Sequence, residues 1–174
     1  MRKVLYLLAT LVLAGCGGMP DGVTPVQNFE LNRYLGKWYE IARLDHSFER
    51  GLERITAEYS LQEDGGVAVL NRGYSPENEE WKEARGKAYF VNAADEGYLK
   101  VSFFGPFYAS YVIFELDEQN YEYAFVAGPD TSYLWLLARK PESPQKVIEK
   151  FRQRSEDLGF DTSKLIFVNH DGNA

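Results

Sequence analysis

Eight short runs of alternating apolar and polar residues, each closed by a turn, fill the chain from Gly36 to Arg139. They cover 37–45, 53–62, 66–74, 83–91, 97–104, 108–116, 121–127 and 133–139. Between them lie Asp64-Gly65-Gly66, Pro76-Glu77-Asn78, Asp95-Glu96-Gly97, Gly105-Pro106, Asp117-Glu118-Gln119-Asn120 and Gly128-Pro129-Asp130. Residues of these types preset a turn or tolerate positive φ. Consecutive strands joined by tight turns, with no helix between them, make an antiparallel meander. Eight such strands can close into an up-and-down barrel, which leaves no sheet edge exposed. The expected fold is therefore all-β: an eight-stranded antiparallel calyx barrel.

Alternation assigns the faces, because successive side chains on a strand point to opposite sides. Ile55, Ala57, Tyr59 and Leu61 share one face of their run, against Thr56, Glu58 and Ser60. Leu99, Val101 and Phe103 oppose Lys100 and Ser102, and Ala84, Gly86, Ala88 and Phe90 oppose Arg85, Lys87 and Tyr89. A barrel of eight strands is either filled by side chains or holds one small ligand. The small inward residues Ala57, Ala84, Gly86 and Ala88 argue for a cavity. The competing reading is that they only make room for large neighbours such as Phe103.

The period changes after Arg139. Ser143 is a candidate N-cap with Pro144 at the first helical position. Val147, Ile148, Phe151 and Leu158 form one apolar stripe, and Gly159 is a C-terminal stop. This predicts one amphipathic helix over 144–158 on an outer wall of the barrel. Lys164 to Val168 reads as a short ninth strand.

Residues 1–16 are MRKVLYLLATLVLAGC. Arg2 and Lys3 precede an apolar run from Val4 to Ala14. Eleven residues at about 1.5 Å each give about 16 Å of helix, short of a hydrocarbon core of roughly 30 Å. This is the anatomy of a signal peptide. It ends in Leu13-Ala14-Gly15-Cys16, which resembles the bacterial lipobox, so Cys16 is the expected lipidation site. That resemblance implies cleavage before Cys16 and acylation of its thiol and freed amine, which meets the need for more than one lipid signal in a stable anchor. Gly17, where the pattern has Asp for inner-membrane retention, leans towards export to the outer membrane. The expected organisation is a signal peptide over 1–15, a lipidated tether over 16–27 and one domain over 28–174.

The segment Asn32-Arg33-Tyr34-Leu35-Gly36-Lys37-Trp38-Tyr39-Glu40 resembles the entry to the first strand in the lipocalins. A partial match to a second family region falls at Leu116-Asp117-Glu118-Gln119-Asn120-Tyr121, with Leu116 where Thr is usual. Arg139 matches the Arg at the end of the last barrel strand. Residues 45–51, 101–108 and 126–130, with the lipobox, are similar to the bacterial outer-membrane lipoprotein lipocalins. The resemblance runs from residue 1 to about 170. It implies a structural motif of Gly36, Trp38 and Arg139, with the Arg packed on the Trp ring across the closed end. It also implies binding of fatty acids or lysophospholipids in the calyx, a role in envelope maintenance, and a place on the periplasmic side of the cell outer membrane. The expected wall is Ala57, Tyr59, Val69, Asn71, Ala88, Phe90, Val101, Phe103, Tyr108, Val112, Phe114 and Trp135. Among these, Asn71, Tyr108 and Trp135 are the expected handles for a ligand headgroup. Glu40 has the parity of Trp38 and points inward, where a carboxylate needs a partner or a raised pKa.

Other function classes are excluded or weakened by composition. A formal net charge of −7 gives no electrostatic footprint for nucleic acid. One cysteine and two histidines, His46 and His170, leave no disulfide framework and no expected metal site. Asp45-His46-Ser47 holds the letters of a hydrolytic triad, but adjacent residues cannot converge their side chains. No nucleophile elbow or phosphate loop appears, so neither an enzyme nor a cofactor is expected. An anchored scaffold with a filled barrel stays open as the alternative, as does a homodimer through an exposed aromatic edge.

Overall fold

A computed structural model describes residues 18–171 of the chain. The signal peptide, Cys16 and Gly17 lie outside the described residues. Eight antiparallel strands follow one another: β1 (Gly36–Arg43), β2 (Glu53–Leu61), β3 (Val67–Ser75), β4 (Glu80–Phe90), β5 (Tyr98–Phe104), β6 (Phe107–Leu116), β7 (Tyr123–Ala127) and β8 (Leu134–Ala138). Each pairs with its neighbour, and β1 pairs with both β8 and β2, which closes the barrel. The expected fold class is borne out.

The seam is shared along its length. Residues 36–39 of β1 pair with β2, as in Trp38 opposite Ala57. A register shift between Glu40 and Ala42 marks a bulge. Beyond it β1 turns to a ninth strand, β9 (Ile166–Phe167), which sets Ala42 opposite Phe167. The Arg54 amide then donates to the Asn169 carbonyl, so the C-terminal segment bridges β1 and β2 where they part. β9 is two residues long because Thr162–Lys164 forms a 3-10 turn instead of extending it.

A four-residue helix not visible in the periodicity, α1 (Leu31–Tyr34), crosses the closed end before β1. The C-terminal helix, α2 (Gln145–Asp157), lies on the outer wall, close to its expected span. Pro144 occupies its N-cap position, so Ser143 is not the cap. At the other end Gly159 has φ +83°, its amide donates to the Glu156 carbonyl, and the Phe160 amide donates to the Ser155 carbonyl. These two bonds form a Schellman stop, which needs a residue free to enter the left-handed region.

The apolar residues divide into two cores. One fills the lower barrel around Trp38, Tyr59, Val69, Leu99, Ile113 and Leu137. The other lies between the outer wall and α2, around Val112, Phe114, Phe125, Leu136 and Phe151. The Phe125 and Phe151 rings meet edge-on at 5.0 Å. The stretch read as a tether runs along the barrel wall over 18–27. Val23 and Pro25 are buried, the Val26 amide donates to the Ile113 carbonyl, and Gln27 bridges to Glu96.

Candidate functional site

The closed end is sealed by packed planar groups. The Arg139 guanidinium lies 3.9 Å from the centre of the Trp38 ring. Its nitrogens donate to the carbonyls of Tyr121, Lys37 and Arg33 at 3.2, 2.9 and 2.7 Å. Gly36 passes beside this guanidinium with φ +90°, a conformation a side chain would strain. The Tyr34 ring lies against the Trp38 ring, tilted by 33° with centres 4.7 Å apart. The Tyr111 hydroxyl then bonds both Tyr34, at 2.7 Å, and Tyr59, at 2.8 Å. Burial pushes all three phenols above their ordinary range, so they are neutral hydroxyls at any physiological pH. Tyr34 and Tyr111 escape a sequence reading, because their convergence depends on α1 meeting β6.

Over this floor a cavity of about 610 Å³ opens at the far end of the barrel. That volume lies within the range of small-molecule sites, roughly 300–1,000 Å³. The barrel is therefore not filled. Ala57, Tyr59, Val69, Asn71, Ala88, Val101, Phe103, Tyr108 and Trp135 border it, joined by Leu99, Leu137 and Tyr111. At Gly86 the competing reading holds. An added Cβ would stand 2.8 Å from the Phe103 ring, so this small residue makes room for a neighbour. At Ala57, Ala84 and Ala88 the room goes to the cavity.

Three of the expected wall residues need correcting. Val112 and Phe114 face outward into the core beneath α2, and Phe114 packs beside Phe160 at 6.3 Å. Ala109 sits opposite Val101 and shares its inward face, so the inward set on β6 is Ala109, Tyr111 and Ile113. The parity of β6 was ambiguous because Val112, Ile113 and Phe114 are consecutive and both faces of that strand are covered. Phe90 does point inward but packs on Phe29 at 6.1 Å, at the closed end, where it borders no part of the cavity.

Two expected handles are also engaged elsewhere. Tyr108 borders the cavity, yet its ring packs near Tyr89, with the Lys100 ammonium 5.3 Å from its centre. Trp135 lines the wall, but its indole N–H donates to Glu49 Oε2 at 3.2 Å. Asn71 keeps a buried Oδ1 without a partner.

Glu49 belongs to a buried charged cluster on the cavity wall, which spacing alone did not reveal. Arg43, 2% exposed, sets its Nε 3.2 Å from Glu40 Oε1 and 3.8 Å from Glu49 Oε2. Its Nη2 donates to the Glu49 carbonyl at 2.9 Å. One guanidinium thus faces two carboxyls. Burial, and then the charge of Glu49, pushes the Glu40 carboxyl well above the usual carboxylate range. Burial raises Glu49 as well. Glu40 and Glu49 face each other closely enough to couple, and the stronger upward shift falls on Glu40. His46 stacks on Phe48 at 4.2 Å, and burial, followed by the charge of Arg43, lowers its pKa to about 4. Its Nε2, 3.3 Å from Glu49 Oε2, therefore belongs to a neutral ring rather than an ion pair. The bulge in β1 makes this cluster, because the shift puts both Glu40 and Arg43 on the inside.

The Lipocalin-like domain family matches residues 29–170 of this chain. The chain is a lipocalin. It is 63% identical to the outer membrane lipoprotein Blc of Vibrio cholerae, over 97% of this chain and 98% of that one. It is 52% identical to the outer membrane lipoprotein Blc of Escherichia coli, over 88% and 86%. Insecticyanin from the tobacco hornworm has the same fold, with a TM-score of 0.69 at 21% identity over 89% and 88%. This lipocalin is a binding protein for hydrophobic ligands, not an enzyme. Its location is the outer membrane, on a lipid anchor.

Proposed function

We propose that this lipocalin carries one single-chain amphiphile, a fatty acid or a lysophospholipid, for lipid storage or transport in outer-membrane maintenance. The observation that carries the reading is the cavity itself: apolar walls, one open end, and a floor already satisfied by its own hydroxyl bonds. An acyl chain suits such a wall. Burying roughly 400 Å² of it yields about 10 kcal/mol before ordering costs, consistent with micromolar binding or better.

The headgroup stays at the mouth. The Arg43 charge is already matched by Glu49 and Arg72 pairs with Glu83, which leaves Lys82 as the bordering cation for a phosphate or a carboxylate. Asn71 offers an amide with an unpaired oxygen, which suits a hydroxyl donor such as the glycerol of a lysophospholipid. This favours lysophospholipid over free fatty acid. The membrane attachment in this reading is acylated Cys16, following a signal peptide over 1–15.

Titration of tryptophan fluorescence with lysophospholipid and with fatty acid tests it, since Trp135 lines the wall. Saturable quenching is expected, tighter for lysophospholipid, and lost in Ala57→Trp, whose indole would fill the cavity. Unchanged binding in Ala57→Trp would refute the cavity as the site. Equal affinities in the parent and in Asn71→Leu would refute the headgroup preference.

A further inference from the structure

We propose that the cavity selects a zwitterionic headgroup, with Lys82 taking the phosphate and Glu80 the ammonium of a lysophospholipid of the phosphoethanolamine class. The inference deepens the reading above and rests on it.

Strand register carries the argument. β3 and β4 pair without a break, with Asn71 opposite Ala84, Gly73 opposite Lys82 and Ser75 opposite Glu80. Asn71, Lys82 and Ala84 border the cavity. Successive side chains alternate between faces, so Ala84, Lys82 and Glu80 share one face of β4, while Glu83 and Trp81 stand on the other. From the cavity towards the β3–β4 turn, that face reads small residue, cation, anion. Each step of two residues along the strand is about 6.6 Å.

The two charges on that face are not spent elsewhere. Among the described residues, the charged groups that border the cavity are Glu40, Glu49, Arg72, Lys82 and Glu83. Glu40 and Glu49 face Arg43 Nε at 3.2 and 3.8 Å. Arg72 pairs with Glu83 at 3.0 Å, and Arg85 with the other oxygen of the same carboxylate at 3.1 Å. Lys82 is thus the bordering cation with no carboxylate partner among the described residues. Glu80 likewise has no cation paired with it among them, and both side chains are exposed.

A phosphate set against Lys82 leaves the acyl chain to run past Ala84 and Ala57 into the cavity. It also brings the glycerol hydroxyl towards Asn71, the diagonal neighbour of Lys82 across the strand pair, at about 7–8 Å. The group beyond the phosphate then lies at the level of Glu80. Glu79 and Glu77 continue the acidic run through the turn. An ammonium is favoured in that field, whereas a neutral glycerol gains nothing from it. A fatty acid has neither hydroxyl nor ammonium, so its carboxylate meets Lys82 alone and makes one of the three contacts.

The test titrates the full chain with oleoyl-lysophosphatidylethanolamine, oleoyl-lysophosphatidylglycerol and monooleoylglycerol, which share one acyl chain, and reads tryptophan fluorescence. Affinities are compared between parent and variant for the same ligand, so partition of the lipid cancels. In the parent the ethanolamine headgroup should bind more tightly than the glycerol headgroup. Lys82→Gln should weaken both phospholipids by about two- to five-fold, the range for charge pairs near solvent, and leave monooleoylglycerol unchanged. Glu80→Gln should weaken the ethanolamine ligand by a similar factor and erase its lead. Equal melting temperatures of the three proteins show that the fold is unaffected. A phospholipid-to-monooleoylglycerol ratio that does not change in Lys82→Gln overturns the proposal, as do equal affinities of the two phospholipids in the parent. In either case saturable binding of monooleoylglycerol leaves the cavity reading standing. No saturable binding of any of the three overturns that reading and this inference together.

Discussion

Glu49 Oε2 accepts a hydrogen bond from Trp135 Nε1 at 3.2 Å and stands 3.8 Å from Arg43 Nε, so one carboxylate ties the cavity wall to a buried cation. Arg43 has no other acidic partner than Glu40 and Glu49 among the described residues. Arg43→Met leaves Glu49 without its cation in a buried site. The loss should reach about 3–5 kcal/mol, the cost of breaking a buried pair on one side. Urea denaturation at neutral pH measures it.

Glu40 makes stability depend on pH. Its folded pKa is raised, so above about 4.5 the folded chain keeps a proton that the unfolded chain has released. Stability from this group is present at low pH and is lost as pH rises through the folded pKa. Glu40→Gln imitates the protonated form permanently. It should be close to neutral near pH 5 and more stable than the parent near pH 9. His46 acts in the opposite sense, since its pKa falls from 6.5 to about 4 and stability declines as pH drops through that window. In His46→Gln the decline between those values should disappear. Thermal melts across the pH range separate the two.

Arg139 joins three backbone carbonyls and one ring. Replacing it with Met removes a cation–π contact and three charge-assisted bonds, a loss of about 2–3 kcal/mol for a partly exposed group. Arg139→Lys should recover little, because an ammonium lacks the planar fork that reaches carbonyls on both sides. Chemical denaturation of both variants tests this.

Phe114→Ala separates the two cores. The ring lies beneath α2, outside the barrel, so stability should fall by about 3–5 kcal/mol. Lysophospholipid affinity, measured where the variant is still folded, should not change. A large affinity loss would return Phe114 to the wall.

Gly86→Ala tests the room left for Phe103. A Cβ there would approach the Ser102 carbonyl to 2.7 Å, and backbone cannot step aside as a side chain can. A loss of about 1–3 kcal/mol is expected from overpacking. Quenching by ligand should also weaken, since Phe103 would move into the cavity.

The barrel was legible because its signal is local. Alternation with period two, turn residues between runs and a single helical stripe are properties of short windows, so eight strands and one helix could be placed within a few residues. Alternation stopped being informative at β6, where wall and helix cover both faces and Val112, Ile113 and Phe114 run together. α1 was missed because four residues carry too little period to be seen. The charged cluster was missed for a related reason: the bulge at Glu40 changes parity in mid-strand, and only then do Glu40 and Arg43 share the inside.

By itself, then, the sequence determined the strand count, the closed topology, the family motif of Gly36, Trp38 and Arg139, and the presence of small residues on an inward face. Tertiary structure decided which of those small residues leave a cavity and which seat a neighbour, how two carboxyls share one guanidinium, and that residues 18–27 climb to the mouth rather than hang from it. The physical reason is one of range. Backbone pattern is set by neighbours along the chain, whereas free volume and the pairing of buried charges depend on segments that meet only after the barrel has closed.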